Sequence, residues 1–213
     1  ELNNISALLN DSALKAYWRF EGNLNDSSAS GYNLTNSGST DVTGKFGNGR
    51  DFERDSSQYA YASAPNCNIT TSQSWSLWFK LESISGSDQF VLGIRNSSGG
   101  SNRGMNIITS SSKIRFDFDG LTSGALTFNQ ALSTGVWYHF VAIYDSSVPE
   151  IRCFLNGVKQ TQSVSGSQTA LTGNFVLGRN GDISQYYYDG VLDDVAIFSR
   201  ALTDAEVSDL YTV

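Results

Sequence analysis

The sequence predicts an all-β protein built as a sandwich of two antiparallel sheets. Short apolar segments recur along all 213 residues, and stretches rich in Gly, Ser and Asn separate them. Many short strands divided by turn residues are typical of a sandwich, whereas a parallel α/β fold needs long helical segments between its strands. Twenty Gly and only two Pro also favour a multi-stranded protein with many turns.

The apolar segments define the predicted strands, in chain order 16–20, 44–52, 58–62, 74–81, 89–94, 105–109, 113–119, 137–145, 151–155, 175–179 and 188–198. We expect 105–109 and 113–119 to pair as a hairpin. The segment 137–145 is apolar on both faces, so it is expected in the middle of a sheet. His139, the only histidine, lies in this segment and is interpreted as a buried structural residue.

The two ends of the chain are predicted to be helical. Thr203 and Glu206 have the spacing of a capping box at the start of a helix over 202–211. Residues 1–13 carry apolar positions at helical spacing and are expected to form a short helix or a packed arm. We find no repeat, linker or break in composition, which indicates one domain over residues 1–213.

The net charge and the distribution of apolar residues indicate which kinds of partner the protein is expected to bind. The net charge of −7 disfavours nucleic acid and anionic membranes, because both are bound through basic patches. No apolar run approaches the roughly 20 residues that span a bilayer, so membrane insertion is not expected. Acidity is compatible with a divalent cation.

Several features indicate an extracellular protein. Charged residues make up only 16%, which leaves a surface rich in hydroxyl and amide groups. The chain starts at Glu1 without an initiator Met, so we expect that a signal peptide or upstream domain has been removed. Cys67 and Cys153 are compatible with a disulfide or with two buried thiols. The predicted location is secreted or at the cell surface.

The order of the motifs resembles one known group of proteins. The segments that carry the resemblance are Tyr17–Gly22, Asn25–Ser28, Gly44–Phe52, Trp75–Lys80, Trp137–Ala142, Phe154–Gly157 and Gly190–Phe198. Together they resemble the laminin-G-like and pentraxin-like domains of the concanavalin A-like lectin/glucanase superfamily. The resemblance implies a jelly-roll β-sandwich with a short C-terminal helix. It also implies a binding module, often with calcium and seldom with catalytic activity.

The resemblance suggests where a structural calcium ion would bind. In this family the loop after the first strand meets a late strand, and an Asp from each often holds the ion. This carries over to Asp26 and Asp193, and further to Glu21 and Asn33, since hard cations prefer oxygen ligands. The alternative is that Asp26 makes a turn hydrogen bond and that Asp193 is a surface charge.

One polar strand face is a candidate for ligand contact. Arg115, Asp117 and Asp119 alternate with apolar residues and share one side of their strand. The glycosidases of the superfamily carry a Glu-x-Asp-x-x-Glu run, which is absent here, so no catalytic residue is assigned. The face is either a solvated surface or a polar ligand contact, and catalysis by Asp117 and Asp119 is the weakest alternative.

Two loops carry residue types suited to sugar binding, because a sugar ring offers an apolar C–H face and a rim of hydroxyls. The candidate aromatic residues are Tyr186, Tyr187 and Tyr188, of which at least one should face outward. The candidate polar residues flank a Ser/Gly-rich loop: Arg95, Asn96, Asn102 and Arg103. Packing of the tyrosines, and a merely solvated loop, are the alternatives.

We therefore predict a non-catalytic carbohydrate-binding module of a larger secreted or cell-surface protein, stabilised by calcium, with a glycan or polysaccharide as ligand. A protein-binding adhesion module is the alternative. A polysaccharide hydrolase or lyase domain is the weaker one.

Overall fold

The computed structural model of the protein describes residues 7–63, 68–95, 102–181 and 184–212. Its strands are β1 (Leu14–Trp18), β2 (Thr35–Ser37), β3 (Thr40–Thr43), β4 (Asn48–Phe52), β5 (Tyr59–Ala62), β6 (Gln73–Leu81), β7 (Gln89–Arg95), β8 (Asn102–Ile108), β9 (Lys113–Phe118), β10 (Leu121–Thr122), β11 (Ala125–Thr127), β12 (Trp137–Asp145), β13 (Glu150–Leu155), β14 (Val158–Ser163), β15 (Ser165–Gly166), β16 (Phe175–Leu177) and β17 (Gly190–Phe198). A 3-10 turn, Arg54–Ser56, lies between β4 and β5, and the helix α1 (Asp204–Tyr211) follows β17.

The strands form two large antiparallel sheets. The eight-stranded sheet has the order β14-β13-β12-β6-β17-β4-β3, with β1 paired to the second half of β17. The seven-stranded sheet has the order β11-β9-β8-β7-β16-β5-β2, and β10 and β15 form a small separate pair. The predicted sandwich is confirmed, as is the interior position of β12, which lies between β13 and β6.

The main core fills the space between the sheets because strand residues alternate between two faces. From β6, the inward residues are Trp75, Leu77, Phe79 and Leu81. Trp75 meets Phe116 of the opposite sheet edge-on, with ring centroids 5.7 Å apart. Aromatic rings from both sheets therefore interlock across the sandwich, a geometry that stabilises beyond area burial alone.

A second, smaller core lies on the outer face of the eight-stranded sheet, under α1. Val141 and Ile143 of β12 and Phe198 of β17 pack there against Val207. The helix starts as the sequence predicts, because the Thr203 hydroxyl accepts a hydrogen bond from the Glu206 N–H at 3.2 Å. In return a Glu206 carboxylate oxygen accepts from the Thr203 N–H at 2.7 Å. Two otherwise unpaired N–H groups are thereby satisfied.

His139 is buried beneath this helix, as predicted, with 1% of its surface exposed. Its Nε2 lies 3.0 Å from the Ser76 hydroxyl, and its ring stacks with Tyr211 of α1 at a centroid distance of 5.9 Å. Burial lowers its pKa to about 3, so the imidazole is neutral at physiological pH.

Six strands of the structure are absent from the predicted set: β2, β3, β10, β11, β14 and β15. The residues of β2, β3 and β14 are mostly exposed. Each lies at or next to a sheet edge, where a strand needs no buried face and leaves no periodic signal. β14 is nevertheless fixed by the turn at Asn156 and Gly157, whose φ values of 49° and 77° give the tight hairpin that an Asn-Gly pair favours.

Three further predictions concern the termini, the cysteines and membranes. Residues 7–9 are helical, whereas residues 1–6 lie outside the described part. Cys153 is fully buried, and burial raises the pKa of its thiol; Cys67 lies outside the described residues, so a disulfide and two buried thiols both stay open. Among the described residues, no helix has the length and apolar character needed to cross a membrane.

Candidate functional site

Asp26, a predicted calcium ligand, organises the loop after β1. Its Oδ1 accepts hydrogen bonds from the backbone N–H groups of Tyr17 at 2.9 Å and Ser28 at 2.8 Å. Its Oδ2 accepts from the Ser28 hydroxyl and from the N–H of Tyr32, both at 2.8 Å. The Asn33 side-chain oxygen accepts from the N–H of Asp26 at 2.9 Å. Asp26 and Asn33 thus act as turn-forming residues.

Asp193 is fully buried in β17, so the alternative of a surface charge is wrong. Its Oδ2 accepts from the N–H groups of Lys45 and Phe46 at 2.8 and 2.9 Å, and its Oδ1 accepts from the N–H of Asp194 at 2.8 Å. Burial raises its pKa to about 7, although these donors oppose the shift. The carboxylate anchors the turn that leads into β4.

Glu21 holds the other end of the same turn, where its Oε2 accepts from the Asn48 N–H at 3.2 Å. Two glycines make room for the acidic groups. A Cβ on Gly44 would lie 2.5 Å from an Asp193 oxygen, and one on Gly47 would lie 2.5 Å from a Glu21 oxygen. Glycine is therefore required at these two positions after β3, because carboxylates from distant parts of the sequence occupy the space that a side chain would need.

The four predicted calcium ligands do not fit a calcium ion as a set. Asp26 and Asn33 shape one loop, whereas Asp193 and Glu21 hold another. The backbone N–H groups aimed at their oxygens present partial positive charge where a cation would have to bind. Calcium binding stays a prediction that rests on the family resemblance.

A different group of acidic residues does converge. Within the described residues, carboxylate oxygens of Asp51, Glu53 and Glu82 lie within 4.8 Å of one another. Burial is the largest cause that raises the pKa of each, and neighbouring carboxylates add to the shift. Glu53 and Glu82 are exposed, and exposed acidic groups often cluster without an ion, so we assign none.

Arg115 and Asp117 lie together on the outer face of the seven-stranded sheet, as their alternation in β9 predicts. Nε and Nη2 of Arg115 donate to Oδ1 of Asp117 at 2.9 and 2.6 Å. Asn106 of β8 donates to the other Asp117 oxygen at 3.1 Å. The Arg115 side chain is 47% exposed and that of Asp117 13%. Burial raises the pKa of Asp117, and its bonds to Arg115 oppose that shift.

Only one of the three predicted tyrosines is exposed. Tyr188 is completely buried, and its hydroxyl donates to the carbonyl of Lys80 at 3.0 Å, so a ligand contact for this residue is wrong. Tyr187 is half-buried. Tyr186 is 41% exposed, and its carbonyl accepts from the Phe90 N–H at 2.8 Å, which ties this loop to β7.

The predicted polar contacts beside the Ser/Gly-rich loop also differ in their burial. Arg103 is fully buried and donates to two carbonyls, that of Ile69 at 2.6 Å and that of Thr169 at 3.1 Å. It stabilises neighbouring loops, so a surface ligand contact for Arg103 is wrong. Asn102 is half-buried on β8. Arg95 ends β7, but its side chain, like the whole of Asn96, lies outside the described part.

The predicted contact residues that lie at the surface line one open groove over β8 and β9. We call this groove the sheet groove. Its larger part has a volume of about 410 Å³ and is lined by Asp88, Asn102, Asn106, Ile108, Arg115, Asp117, Asn180 and Tyr186. An adjoining hollow of about 250 Å³ shares Asn102, Arg115 and Asp117 and continues to Asp119 and the turn at 120–124. The structure thus brings together predicted residues from three separate segments.

Sequence reasoning missed three polar residues that line the larger part of the sheet groove. Asn106 could have been found, because it alternates with Asn102 along the same strand. Asp88 and Asn180 carry no such signal, since loop packing alone places them there. Asn180 is 4% exposed, and its side-chain oxygen has no partner among the described residues.

Solved structures share this architecture. Domain 4 of AbnA, a GH43 extracellular arabinanase from Geobacillus stearothermophilus solved in complex with arabinotriose, superposes with a TM-score of 0.72 at 18% identity, covering 93% of this chain and 98% of that one. The binding domain of Paraclostridial Mosquitocidal Protein 1 gives 0.72 at 15% identity, covering 93% and 52%. Trypanosoma rangeli sialidase in complex with sialic acid gives 0.71 at 12% identity, covering 95% and 33%. At these identities the likeness shows the shared fold. The chain spans about half of the second structure and a third of the third.

No protein with a curated description matches the chain at the sequence level. A family model does match it, over residues 54–208, and its description is the concanavalin A-like lectin/glucanases superfamily. The matched region runs from the turn before β5 into α1 and so includes both walls of the sheet groove. The chain therefore belongs to the concanavalin A-like lectin/glucanases superfamily.

Proposed function

We propose that the protein is a non-catalytic carbohydrate-binding module of a secreted or cell-surface protein, and that it binds a glycan in the sheet groove. One observation carries the proposal, the convergence of an exposed tyrosine with planar polar side chains in a single open groove. Tyr186 offers an aromatic surface to the C–H face of a sugar. Arg115, Asp117 and Asn102 offer hydrogen bonds to its hydroxyl rim.

The hydrogen bonds inside the sheet groove support binding with preset geometry. Asp117 is held between Arg115 and Asn106, and Asp119 accepts from the Thr169 hydroxyl at 2.8 Å. Side chains whose orientation is already fixed lose little conformational entropy when a ligand binds. Such an arrangement favours recognition of one pattern of hydroxyl groups.

The absence of a Glu-x-Asp-x-x-Glu run from the sequence favours binding over hydrolysis. A retaining glycosidase uses one carboxyl group as nucleophile and a second that delivers a proton. Here Asp117 and Asp119 are the candidate pair. Since lectins and glycoside hydrolases share this superfamily, the enzyme alternative needs its own test. Release of reducing ends by the wild type, lost in Asp117→Asn, would establish it.

A protein-binding adhesion module is the second candidate. The fold is shared with a toxin binding domain, and the rim of the sheet groove combines an exposed tyrosine with charged residues, a composition also found in protein interfaces. Capture of a protein partner by a folded domain that binds no glycan would favour this candidate.

The proposed function is tested by screening the purified domain on a glycan and polysaccharide array in calcium buffer. Since a similar domain was solved with arabinotriose, linear arabino-oligosaccharides are the first probe for titration. We expect Arg115→Ala to weaken binding at least about tenfold. Arg19→Ala, which removes an exposed arginine next to β1, is the matched control and should bind like the wild type. A blank array from folded protein would contradict the proposal.

A further inference from the structure

A small cavity lies on the outer face of the eight-stranded sheet, on the opposite side of the sandwich from the sheet groove. Its volume is about 60 Å³, and its polar and aromatic lining residues are Tyr17, Phe46, Ser76, Trp78, His139 and Asp194. The other lining residues are apolar and include one from α1. We call it the helix-side cavity. Since one water molecule takes about 30 Å³ in the liquid, the helix-side cavity has room for a small head group and not for a sugar ring.

Asp194 supplies a carboxylate to the helix-side cavity. It lies where the register between β17 and β6 shifts, and its φ of 45° is in the left-handed region, which few residues other than glycine adopt. Its Oδ1 accepts a hydrogen bond from the Tyr17 hydroxyl at 2.7 Å. Burial raises its pKa, and Tyr17 and Arg19 oppose the shift. Within the described part of the chain no lysine or arginine forms an ion pair with Asp194, so its charge lacks a cation in direct contact.

The aromatic rings of the helix-side cavity suit a cation. Trp78 is 5% exposed, and its ring meets Phe46 edge-on with ring centroids 5.7 Å apart. The exposed Lys45 places its Nζ 4.5 Å from the centroid of the Trp78 ring and 5.6 Å from that of Phe46. At such distances the face of an aromatic ring attracts a positive charge. These two rings therefore already interact with one ammonium group of the protein itself.

His139 carries an unpaired polar atom among the residues that line the helix-side cavity. Its Nδ1 is buried and has no hydrogen-bond partner among the described residues, whereas its Nε2 lies 3.0 Å from the Ser76 hydroxyl. A neutral imidazole has one nitrogen that donates and one that accepts. When Nε2 donates to Ser76, Nδ1 is a free acceptor, and a buried acceptor is destabilising until a donor reaches it. An N–H group of a ligand in the cavity supplies that donor.

We propose that the helix-side cavity binds the head of a primary alkylammonium ion. Asp194 is its counterion, Nδ1 of His139 accepts one of its N–H groups, and the Trp78 ring lies against its charge. A water molecule supplies a donor for His139 but leaves the carboxylate without a positive charge, whereas a fully methylated ammonium group has the charge but no N–H. The site goes beyond the proposed function, because it lies on the other sheet and takes a small cation rather than a glycan.

The experiment is an NMR titration of the untagged, ¹⁵N-labelled protein with n-propylammonium chloride, followed through the ring nitrogens of His139. His139 is the only histidine, so the imidazole signals report on this residue alone. We expect a saturable shift of the Nδ1 signal with the proton on Nε2, and a dissociation constant on the order of 1 mM, since a ligand of a few atoms has limited affinity. n-Propanol, which lacks the charge, and tetramethylammonium, which lacks the N–H groups, should each bind at least about tenfold more weakly.

Two variants make the same change of charge at different places. Asp194→Asn removes the negative charge but keeps an oxygen that accepts from the Tyr17 hydroxyl, and it should weaken the binding of n-propylammonium at least about tenfold. Asp55→Asn is the matched control, because this side chain is 98% exposed and does not line the helix-side cavity; it should bind like the wild type. Neither variant should change glycan binding in the sheet groove, so this inference and the proposed function fail separately.

Four results would each overturn the inference. They are an Nδ1 signal of His139 that does not respond to n-propylammonium, an equal response to n-propanol, binding of tetramethylammonium as tight as that of n-propylammonium, and unchanged binding in folded Asp194→Asn. If Asp194→Asn does not fold, the comparison of the three ligands on the wild-type protein still decides.

Discussion

The two outer faces of the sandwich both carry polar residues within their strands, yet these residues have different surroundings. On the eight-stranded sheet, α1 covers His139, and the turn before β4 encloses Asp193, so both are at most 1% exposed. On the seven-stranded sheet, Arg115 and Asp117 face an open groove. A polar residue on a strand therefore serves stability where another segment covers it, and it is available to a ligand where none does.

This comparison predicts that changes on the covered face alter stability, whereas changes on the open face alter binding. The largest effect is expected for Asp193→Ala. It leaves three backbone N–H groups in a buried site without their acceptor, which should lower the free energy of unfolding by on the order of 3 kcal/mol. Urea unfolding of wild type and variant measures this change.

The same variant tests the calcium prediction. If Asp193 were a calcium ligand, thermal melting of the wild type would differ by several degrees between calcium and EDTA, and Asp193→Ala would abolish the difference. The hydrogen bonds instead predict that Asp193→Ala lowers Tm equally in both buffers. A loss of stability confined to calcium buffer would contradict the anchoring role.

A smaller effect is expected at the cap of α1, where Arg200 lowers the pKa of Glu206 to about 2. The ordinary pKa of the group is 4.5, so its stabilising contribution is present above about pH 4.5 and is lost as the pH falls towards 2. Since the Glu206 side chain is 26% exposed, we expect Glu206→Gln to lower the free energy of unfolding by about 1 kcal/mol at pH 7. Unfolding at pH 7 and at pH 2.5 should show the difference shrink at the lower pH; an equal loss at both would contradict this assignment.

Asp193 should give the opposite pH dependence. Its pKa is about 7 in the folded protein against an ordinary value of 3.8, so the folded state holds the proton more tightly. Its contribution to stability is fully present below about pH 3.8 and declines as the pH rises through 7. Denaturant titrations from pH 4 to pH 8 should show this decline, and Asp193→Asn should flatten it. An unchanged slope in Asp193→Asn would assign the decline to another group.

The smallest effect on stability is expected on the open face. Tyr186→Ala changes an exposed side chain and should shift the free energy of unfolding by less than about 0.5 kcal/mol while weakening glycan binding. Parallel unfolding and binding measurements check both values. A large loss of stability in this variant would remove the contrast between the two faces.

The sequence predicts much of this architecture because the decisive strands bury one or both faces. The apolar run of β12 and the alternation in β6 predict their places in the core, and Thr203 with Glu206 predicts the start of α1. Edge strands such as β14 escape prediction, since polar residues on both faces leave no periodicity.

The candidate site could be predicted only in part. The alternation of Arg115 and Asp117 identifies a polar strand face. It does not reveal which neighbour covers a residue, so Arg103 and Tyr188 are candidate ligand contacts in the sequence although both are buried. Their burial depends on loops that are distant in sequence, and so does the position of Asn180 in the wall of the sheet groove.

The most direct test of the central claim is a backbone NMR titration of the domain with its strongest array ligand. We predict that the shift changes cluster on β8, β9 and the loop around Tyr186, and that α1 and the turn at 44–48 remain unaffected. Shift changes centred on α1 or on the turn at 44–48, with the sheet groove silent, would contradict the assignment of the open face as the binding surface.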